Sequence, residues 1–285
     1  MNKSYSLNVG GKLLDLSSPV VMGIVNATPD SFYSPSRVGT AVELSARLSS
    51  MRADGMSIVD VGACSTRPGI SFASQAEEMN RLRAFLPRVM CEAEGLVVSV
   101  DTFRADVAKM CVEEYGVHLI NDISGGLLDD RMFSTVARLG VPYVLSHYRG
   151  GERNVSPSAT NADITAEVVE WLAHRVDALR DLGQTDIILD PGFGFTKTLE
   201  ENFILLGELD ALQMLRLPVL VGVSRKSMAT KPLRITPEDS LIPTTVLNTI
   251  ALERHASILR VHDVKAAAQA IKLLNRLQQS RENQR

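Results

Sequence analysis

The feature that most constrains this chain is a repeat. Short runs rich in Val, Ile and Leu return along it, and most lead into stretches with the periodicity of an amphipathic helix. The runs fall at residues 20–26, 57–63, 96–101, 118–123, 142–147, 186–190, 218–224 and 257–262. They are apolar without strict alternation, the pattern of strands covered on both faces. Between them lie helix signals: capping boxes at Thr40-x-x-Glu43, Ser74-x-x-Glu77 and Thr198-x-x-Glu201, and an N-cap with proline at Thr236-Pro237. Leu44, Leu48 and Met51 share one helical face, and Gly55 follows as a stop. Eight such units, with short connections and no break in composition, predict a single (β/α)8 TIM barrel over residues 19–279. Residues 1–18, with Gly10-Gly11 between two short apolar segments, predict a β-hairpin belonging to the same domain, a lid on the bottom of the barrel. The last helix should run from 264 towards 278, and residues 280–285 should fray. A doubly wound open sheet is the alternative, but it more naturally stops at about five to seven strands.

Composition removes several classes of function. With 285 residues and a formal net charge of −3, the chain has no basic or acidic block suited to nucleic acid or an anionic membrane. No apolar run approaches the roughly 20 residues needed to cross a bilayer, and residues 1–18 contain no signal-like apolar core. Cys64, Cys91 and Cys111 are widely spaced and form no C-x-x-C motif, which points to reduced thiols rather than a disulfide frame or zinc site. The expectation is a soluble cytoplasmic protein that binds neither nucleic acid nor membrane.

In a barrel of this type the chemistry collects at the C-terminal ends of the strands. Read in order, those ends carry Asn26, Asp60 with Ser65-Thr66-Arg67-Pro68-Gly69 beyond it, Asp101-Thr102, Asn121-Asp122, His147, Asp190, Ser224-Arg225-Lys226-Ser227, and Arg260 with His262. Any one of these could be a cap or a satisfied rim group, Asp122 and His147 above all. Eight together are a different matter, because an unpaired buried polar group costs about 1–3 kcal/mol. They divide by chemistry. Arg67, Lys226, Arg260 and His262, with Asn26 and Thr66, form a donor set suited to a phosphate or diphosphate. Asp101, Asn121 and Asp190 are mostly acceptors that can match the N–H-rich edge of a heterocycle. An internal ion pair of Asp190 with Lys226 is the structural alternative, compatible with ligand binding.

Seven segments, in order and at the strand ends, resemble the dihydropteroate synthase family: M-G-I-V-N-A-T-P-D-S-F (22–32), D-V-G-A-C-S-T-R-P-G (60–69), S-V-D-T (99–102), I-N-D-I-S-G-G (120–126), D-P-G-F-G-F-T-K (190–197), G-V-S-R-K-S (222–227) and R-V-H-D-V (260–264). The resemblance spans 19–275. Gly192-x-Gly194 leads to Phe195-Thr196-Lys197 and is no dinucleotide fingerprint. The resemblance implies condensation of 6-hydroxymethyl-7,8-dihydropterin diphosphate with 4-aminobenzoate to give 7,8-dihydropteroate and pyrophosphate, by a Mg2+-assisted, dissociative substitution in folate biosynthesis. It implies that Asp101, Asn121, Asp190 and Lys226 bind the pterin, with Arg260 stacking on the ring. Asn26, Arg67, Arg260 and His262 would take the diphosphate, Asn26 also the Mg2+. Thr66, Pro68, Phe195 and Ser227 would form the aminobenzoate pocket, where sulfonamides would compete. Asn26, Arg67, Asp101 and Lys226 would carry the chemistry. A homodimer is also implied, with Leu247, Ile250 and Leu252 as a possible face.

The chain departs from the usual family pattern in places. Its first loop reads Asp30-Ser-Phe-Tyr-Ser-Pro-Ser-Arg37 where D-S-F-x-D-G-G is common. Cys64 replaces a frequent acid, Ser146 stands in a segment that often reads Met-His-Met, and Met228-Ala-Thr230 is also unusual. Two rivals remain: a methyltetrahydrofolate-binding methyltransferase barrel, which needs no diphosphate site, and a non-catalytic pterin-binding paralogue, which would be expected to lose the cations retained here.

Overall fold

The structure, a computed structural model describing residues 5–27, 41–64, 72–150 and 163–282, begins with the antiparallel pair β1 (Ser6–Val9) and β2 (Lys12–Asp15). Gly10 and Gly11 join them at φ 61° and 83°. A two-residue hairpin turn of this kind needs positive φ at both centres, which glycine adopts without steric cost.

Eight parallel strands follow: β3 (Val20–Asn26), β4 (Ile58–Gly62), β5 (Val97–Asp101), β6 (Leu119–Asp122), β7 (Tyr143–Ser146), β8 (Ile187–Asp190), β9 (Leu220–Val221) and β10 (Ile258–Val261). Their order, β8-β7-β6-β5-β4-β3-β10-β9, is closed by a single parallel bridge between Leu189 and Val219. Helices α1 (Ala41–Ala53), α2 (Gln75–Glu92), α3 (Ala105–Tyr115), α4 (Met132–Leu139), α5 (Ile164–Asp181), α6 (Leu199–Gly207), α7 (Ser227–Thr230), α8 (Leu241–Glu253) and α9 (Val264–Glu282) lie between and after the strands. This is a TIM barrel.

Side chains alternate along a strand, so each apolar run serves two cores. Val59, Val61, Val98, Val100, Leu189 and Leu259 belong to the layer shared with the helices. Met22, Ile58, Val97, Leu119, Val144, Ile188, Leu220 and Ile258, one from each strand of the barrel, form a separate inner cluster. Leu7, Val9 and Leu16 of the hairpin region pack against that cluster and close the bottom of the barrel. The apolar floor leaves the upper, C-terminal half of the interior for polar groups.

The boundaries differ from expectation in instructive ways. Most strands are a residue shorter at one or both ends, and β9 keeps only two residues. Thr198 forms a full capping box with Glu201, and the Ser74 hydroxyl accepts from the Glu77 amide; Thr40 lies outside the described residues. The helix expected from Thr236 starts instead at Leu241. The Arg225 guanidinium takes the carbonyls of Pro237 (2.5 Å) and Glu238 (2.9 Å), holding them in a turn that precedes the helix. A 3-10 segment, Leu209–Leu215, follows α6. The C-terminal helix reaches Glu282, past the expected fraying point at 280, since nothing in Gln278-Gln-Ser-Arg-Glu breaks it and Ser280 Oγ donates to the Arg276 carbonyl. Of the suggested contact face, Leu247 and Leu252 are buried in the core, whereas Ile242, Val246 and Ile250 are 76%, 53% and 39% exposed. Among the described residues no helix is long and apolar enough to cross a membrane.

Candidate active site

Register assembles the site. Asn26 is the Cα partner of Gly62, Gly62 of Asp101, and Asp101 of Asn121. Partners in neighbouring parallel strands share a face, so an amide, a glycine, a carboxylate and a second amide form one row inside the barrel. Gly62 keeps the row open: a Cβ there would meet Asn26 Oδ1 at 3.0 Å.

Below Gly62 on the same face sits Asp60, which is wholly buried. Its carboxylate accepts from Ser99 Oγ at 2.6 Å, Asn121 Nδ2 at 3.0 Å and Arg260 Nε at 2.7 Å. Arg260 Nη2 reaches Asp101 Oδ2 at 2.8 Å. Burial disfavours the guanidinium charge, but Asp60 and Asp101 outweigh it and hold the proton more tightly than usual. The two acids grip Arg260 by its edge, an arrangement in which a flat guanidinium face can meet a ring. One Nδ2 hydrogen of Asn121 is committed to Asp60, which fixes the amide's orientation and leaves its carbonyl oxygen and second N–H to offer a ligand. The strand-end pattern marks Asp60 without assigning it a role; the signal that does is its spacing, two residues before Gly62 and so on the inner face.

Asp190 accepts from Ser146 Oγ at 3.1 Å and from the Gly192 amide at 2.8 Å. Ser146, one of the departures noted above, is thus a partner of a proposed pterin-binding acid. Asp190 and Lys226 do not form the ion pair considered from the sequence: Lys226 Nζ donates to the Phe193 carbonyl at 2.7 Å and stands 4.3 Å from the centre of the Phe195 ring. Burial pushes the Lys226 ammonium down to about 8; Asp190 and Asp101 oppose the shift and Arg260 adds to it. His262 Nδ1 lies 3.0 Å from Ser224 Oγ. Burial, followed by the charges of Arg260, Arg225, Arg47 and Lys226, pushes this imidazole down to about 3, so it is neutral at physiological pH.

Arg225, between Ser224 and Lys226, points away from the barrel axis. It pairs in a fork with Asp263, at 2.9 and 2.8 Å, and fixes the start of the α9 segment beside His262. Ser227 begins α7 directly after Lys226. Thr66, Arg67 and Pro68, like the first loop from Thr28 to Arg37, lie outside the described residues.

Two strand-end residues face the other way. Asp122 accepts from Ser124 N and Oγ, Gly126 N and the Tyr143 hydroxyl, and so caps the turn after β6 behind the sheet. His147 is buried against Trp171 of α5, with the rings 5.1 Å apart. Period two separates Asn121 from Asp122 and Ser146 from His147.

A closed barrel with an apolar floor and an acid–amide–guanidinium network at its C-terminal mouth defines a barrel enzyme acting on a polar small molecule. Residues 22–262 match the family described as pterin binding enzyme. The dihydropteroate synthase of Escherichia coli (strain K12) is 35% identical over 279 residues, covering 96% of this chain and 97% of that one. Among solved structures, the Yersinia pestis dihydropteroate synthase in a sulfonamide drug complex aligns with a TM-score of 0.88 at 34% identity, covering 97% of this chain and 100% of that chain. The Xanthomonas albilineans dihydropteroate synthase with 4-aminobenzoic acid aligns with a TM-score of 0.85 at 34% identity, covering 97% and 99%. The chain belongs to the dihydropteroate synthase family of pterin-binding enzymes.

Proposed function

We propose that the protein is a transferase that joins 6-hydroxymethyl-7,8-dihydropterin diphosphate to 4-aminobenzoate, forming 7,8-dihydropteroate and pyrophosphate. The carrying observation is the network of Asp60, Asp101, Asn121 and Arg260, a donor–acceptor surface matched to a pterin edge with a cation for its ring. Asp101, Asn121 and Asp190 take the N–H-rich edge, and Lys226 a ring acceptor. Arg260 stacks on the ring and, with Asn26, Arg67 and His262, faces the diphosphate. Burial, more than the neighbouring cations, keeps the His262 imidazole neutral, so it meets the diphosphate as a neutral hydrogen-bonding group. Thr66, Pro68, Phe195 and Ser227 hold the aminobenzoate.

Mg2+ fits the residues present. Among the described residues no cluster of three or more His, Cys, Asp or Glu side chains forms a metal cage. None is needed for an ion that keeps several waters and shares substrate phosphates with one or two protein oxygens. Asn26 Oδ1, given space by the missing side chain of Gly62, is the protein oxygen we assign. Bound there, Mg2+ would supply Lewis-acid stabilisation of the departing diphosphate.

The aromatic amine is already neutral near pH 7, so no dedicated general base is required. The C–O bond to diphosphate breaks with its electron pair leaving on oxygen, the amine nitrogen bonds to the exocyclic carbon, and one amine proton is released. An electron-rich dihydropterin stabilises cationic character at that carbon, which favours departure before or during attack.

Purified protein given pterin diphosphate, Mg2+ and 4-aminobenzoate should release pyrophosphate and form dihydropteroate; no turnover under these conditions would remove the assignment. Labelled pyrophosphate should exchange into substrate without aminobenzoate, and its complete failure to do so would favour concerted displacement. Asn26→Ala should lose about 10²-fold in turnover and need more Mg2+ for half-maximal rate, while binding 6-hydroxymethylpterin normally. An unchanged Mg2+ dependence would remove Asn26 from the metal site.

The homodimer is also a proposal. Ile242, Val246 and Ile250 make an exposed apolar line along α8, and Leu273 and Leu277 lie exposed on α9, which packs beside it. Contiguous exposed apolar surface is a common mark of association. Sedimentation should give twice the chain mass, falling towards one chain in Ile242→Glu/Val246→Glu; a monomeric wild type would exclude the dimer.

A further inference from the structure

Below the turn that follows β8 lies a buried pair for which the mechanism above has no use. Lys197 Nζ is 2.9 Å from His147 Nδ1, 3.1 Å from the Gly192 carbonyl and 3.4 Å from the Phe195 carbonyl, so its three donor directions are filled. Lys226 meets the same turn from the other side, through the Phe193 carbonyl at 2.7 Å. Two lysines therefore hold four residues between them.

The turn has little freedom of its own to settle into. Gly192, Gly194 and Thr196 have φ of 71°, 79° and 49°, and Thr196 is β-branched, a residue type that rarely tolerates this region. Such a backbone persists only when its surroundings hold it. Arg149 contributes by donating Nη1 to the Thr196 carbonyl at 2.9 Å, with Glu167 and Glu201 paired to its guanidinium. Asn202 Oδ1 accepts from the Gly194 amide at 2.7 Å. Lys197 is the group that binds both ends of the segment, Gly192 and Phe195.

His147 gives Lys197 its address. With Nδ1 accepting from Lys197, the ring proton lies on Nε2, which has no hydrogen-bond partner among the described residues and sits 3.7 Å from Glu167 Oε1. Burial, with Lys197 and Arg149 next to it, pushes His147 down to about 2, so the ring is a neutral acceptor at working pH. A Cβ on Gly192 would lie 2.2 Å from the His147 carbonyl, so the turn is pressed onto this residue as well.

We propose that Lys197, seated on His147, is a positioning residue for the amine substrate: it fixes the turn that presents the Phe195 ring beside Lys226. This rests on the reading of Phe195 as part of the aminobenzoate pocket. Lys197 touches neither substrate in that reading; its effect passes through Phe195.

Three variants test it: Lys197→Met, which keeps the stem and removes the donor; His147→Leu, which removes the acceptor; and His147→Asn, whose Oδ1 restores an acceptor near the Nδ1 position. Two readouts are taken. Hydrogen exchange of the 190–198 peptide should speed up in Lys197→Met and His147→Leu but not in His147→Asn. KM for 4-aminobenzoate should rise tenfold or more in the first two, with KM for the pterin diphosphate within twofold of wild type and His147→Asn close to wild type in both. Equal rises in both KM values, or an unchanged aminobenzoate KM in a folded variant with faster exchange, would overturn the proposal. Unchanged exchange in both donor- and acceptor-loss variants would overturn it also, as would failure of both to fold. An inactive wild type would count against the functional reading, while exchange would still report whether the pair holds the turn.

Discussion

Arg260→Met is expected to lose both stability and turnover, for reasons that can be separated. Asp60 has no exposure, and the substitution leaves its carboxylate buried without the cation that balances it. Breaking a buried pair from one side costs about 3–5 kcal/mol. Asp101, whose side chain is 12% exposed, keeps some access to water and contributes less. Adding Asp60→Asn removes the stranded charge in the same shape and should return at least about half of the lost stability, because the two positions are directly coupled. It should return none of the activity, expected to be down by about 10³-fold, since the cation proposed to meet the ring and diphosphate is still missing. Urea denaturation with steady-state kinetics on the four proteins of the cycle checks this. A single-variant loss below about 1 kcal/mol, or activity regained in the double variant, would show that Arg260 does not have the place given to it.

Lys226 carries the second large effect. Lys226→Met should lower kcat/KM by about 10³-fold, and the wild-type profile should carry its signature. The ammonium is held at about 8, against the usual 10.5, so kcat/KM should fall as pH rises through about 8 if the charged form binds substrate. Stability should move in the opposite direction. Between about 8 and 10.5 the unfolded chain binds the proton that the folded chain has released. Stability therefore rises with pH across that window as the cost of burying the charge is relieved. Lys197, held at about 7 mainly by burial, adds to the same slope. The wild-type minus Lys226→Met difference isolates the contribution of Lys226. A flat difference across the window, or an activity profile with no alkaline fall near 8, would contradict the assignment.

Much of this protein can be read along one strand at a time, and the parts that resist reading involve two. The apolar runs, the capping box at Thr198 and the Gly10-Gly11 turn are local signals, and each gives its element. The choice of Asn121 over Asp122, or of Ser146 over His147, is local too, once period two is applied within a run that looks uniformly apolar. Asp60 becomes important only when β4, β5, β6 and β10 are side by side, because its partners come from Ser99, Asn121 and Arg260. Lys226 passes over Asp190 for a carbonyl because the turn after β8 brings Phe193 within reach. The start of α8 is displaced by Arg225, a residue more than ten positions upstream that competes for the carbonyls of a good local N-terminus. These outcomes are tertiary competition, which a one-dimensional pattern does not record.

The closure of the barrel has a consequence of its own. Between β8 and β9 the hydrogen-bonded ladder dwindles to one bridge, and β9 is two residues long. Directly above that thin place, the bond from Lys226 to the Phe193 carbonyl crosses from the segment after β9 to the segment after β8. A side chain thus acts as a stitch where the backbone supplies few. The same ammonium that the proposed chemistry would draw on helps to close the cylinder, with one donor on the wall and two left for a ligand.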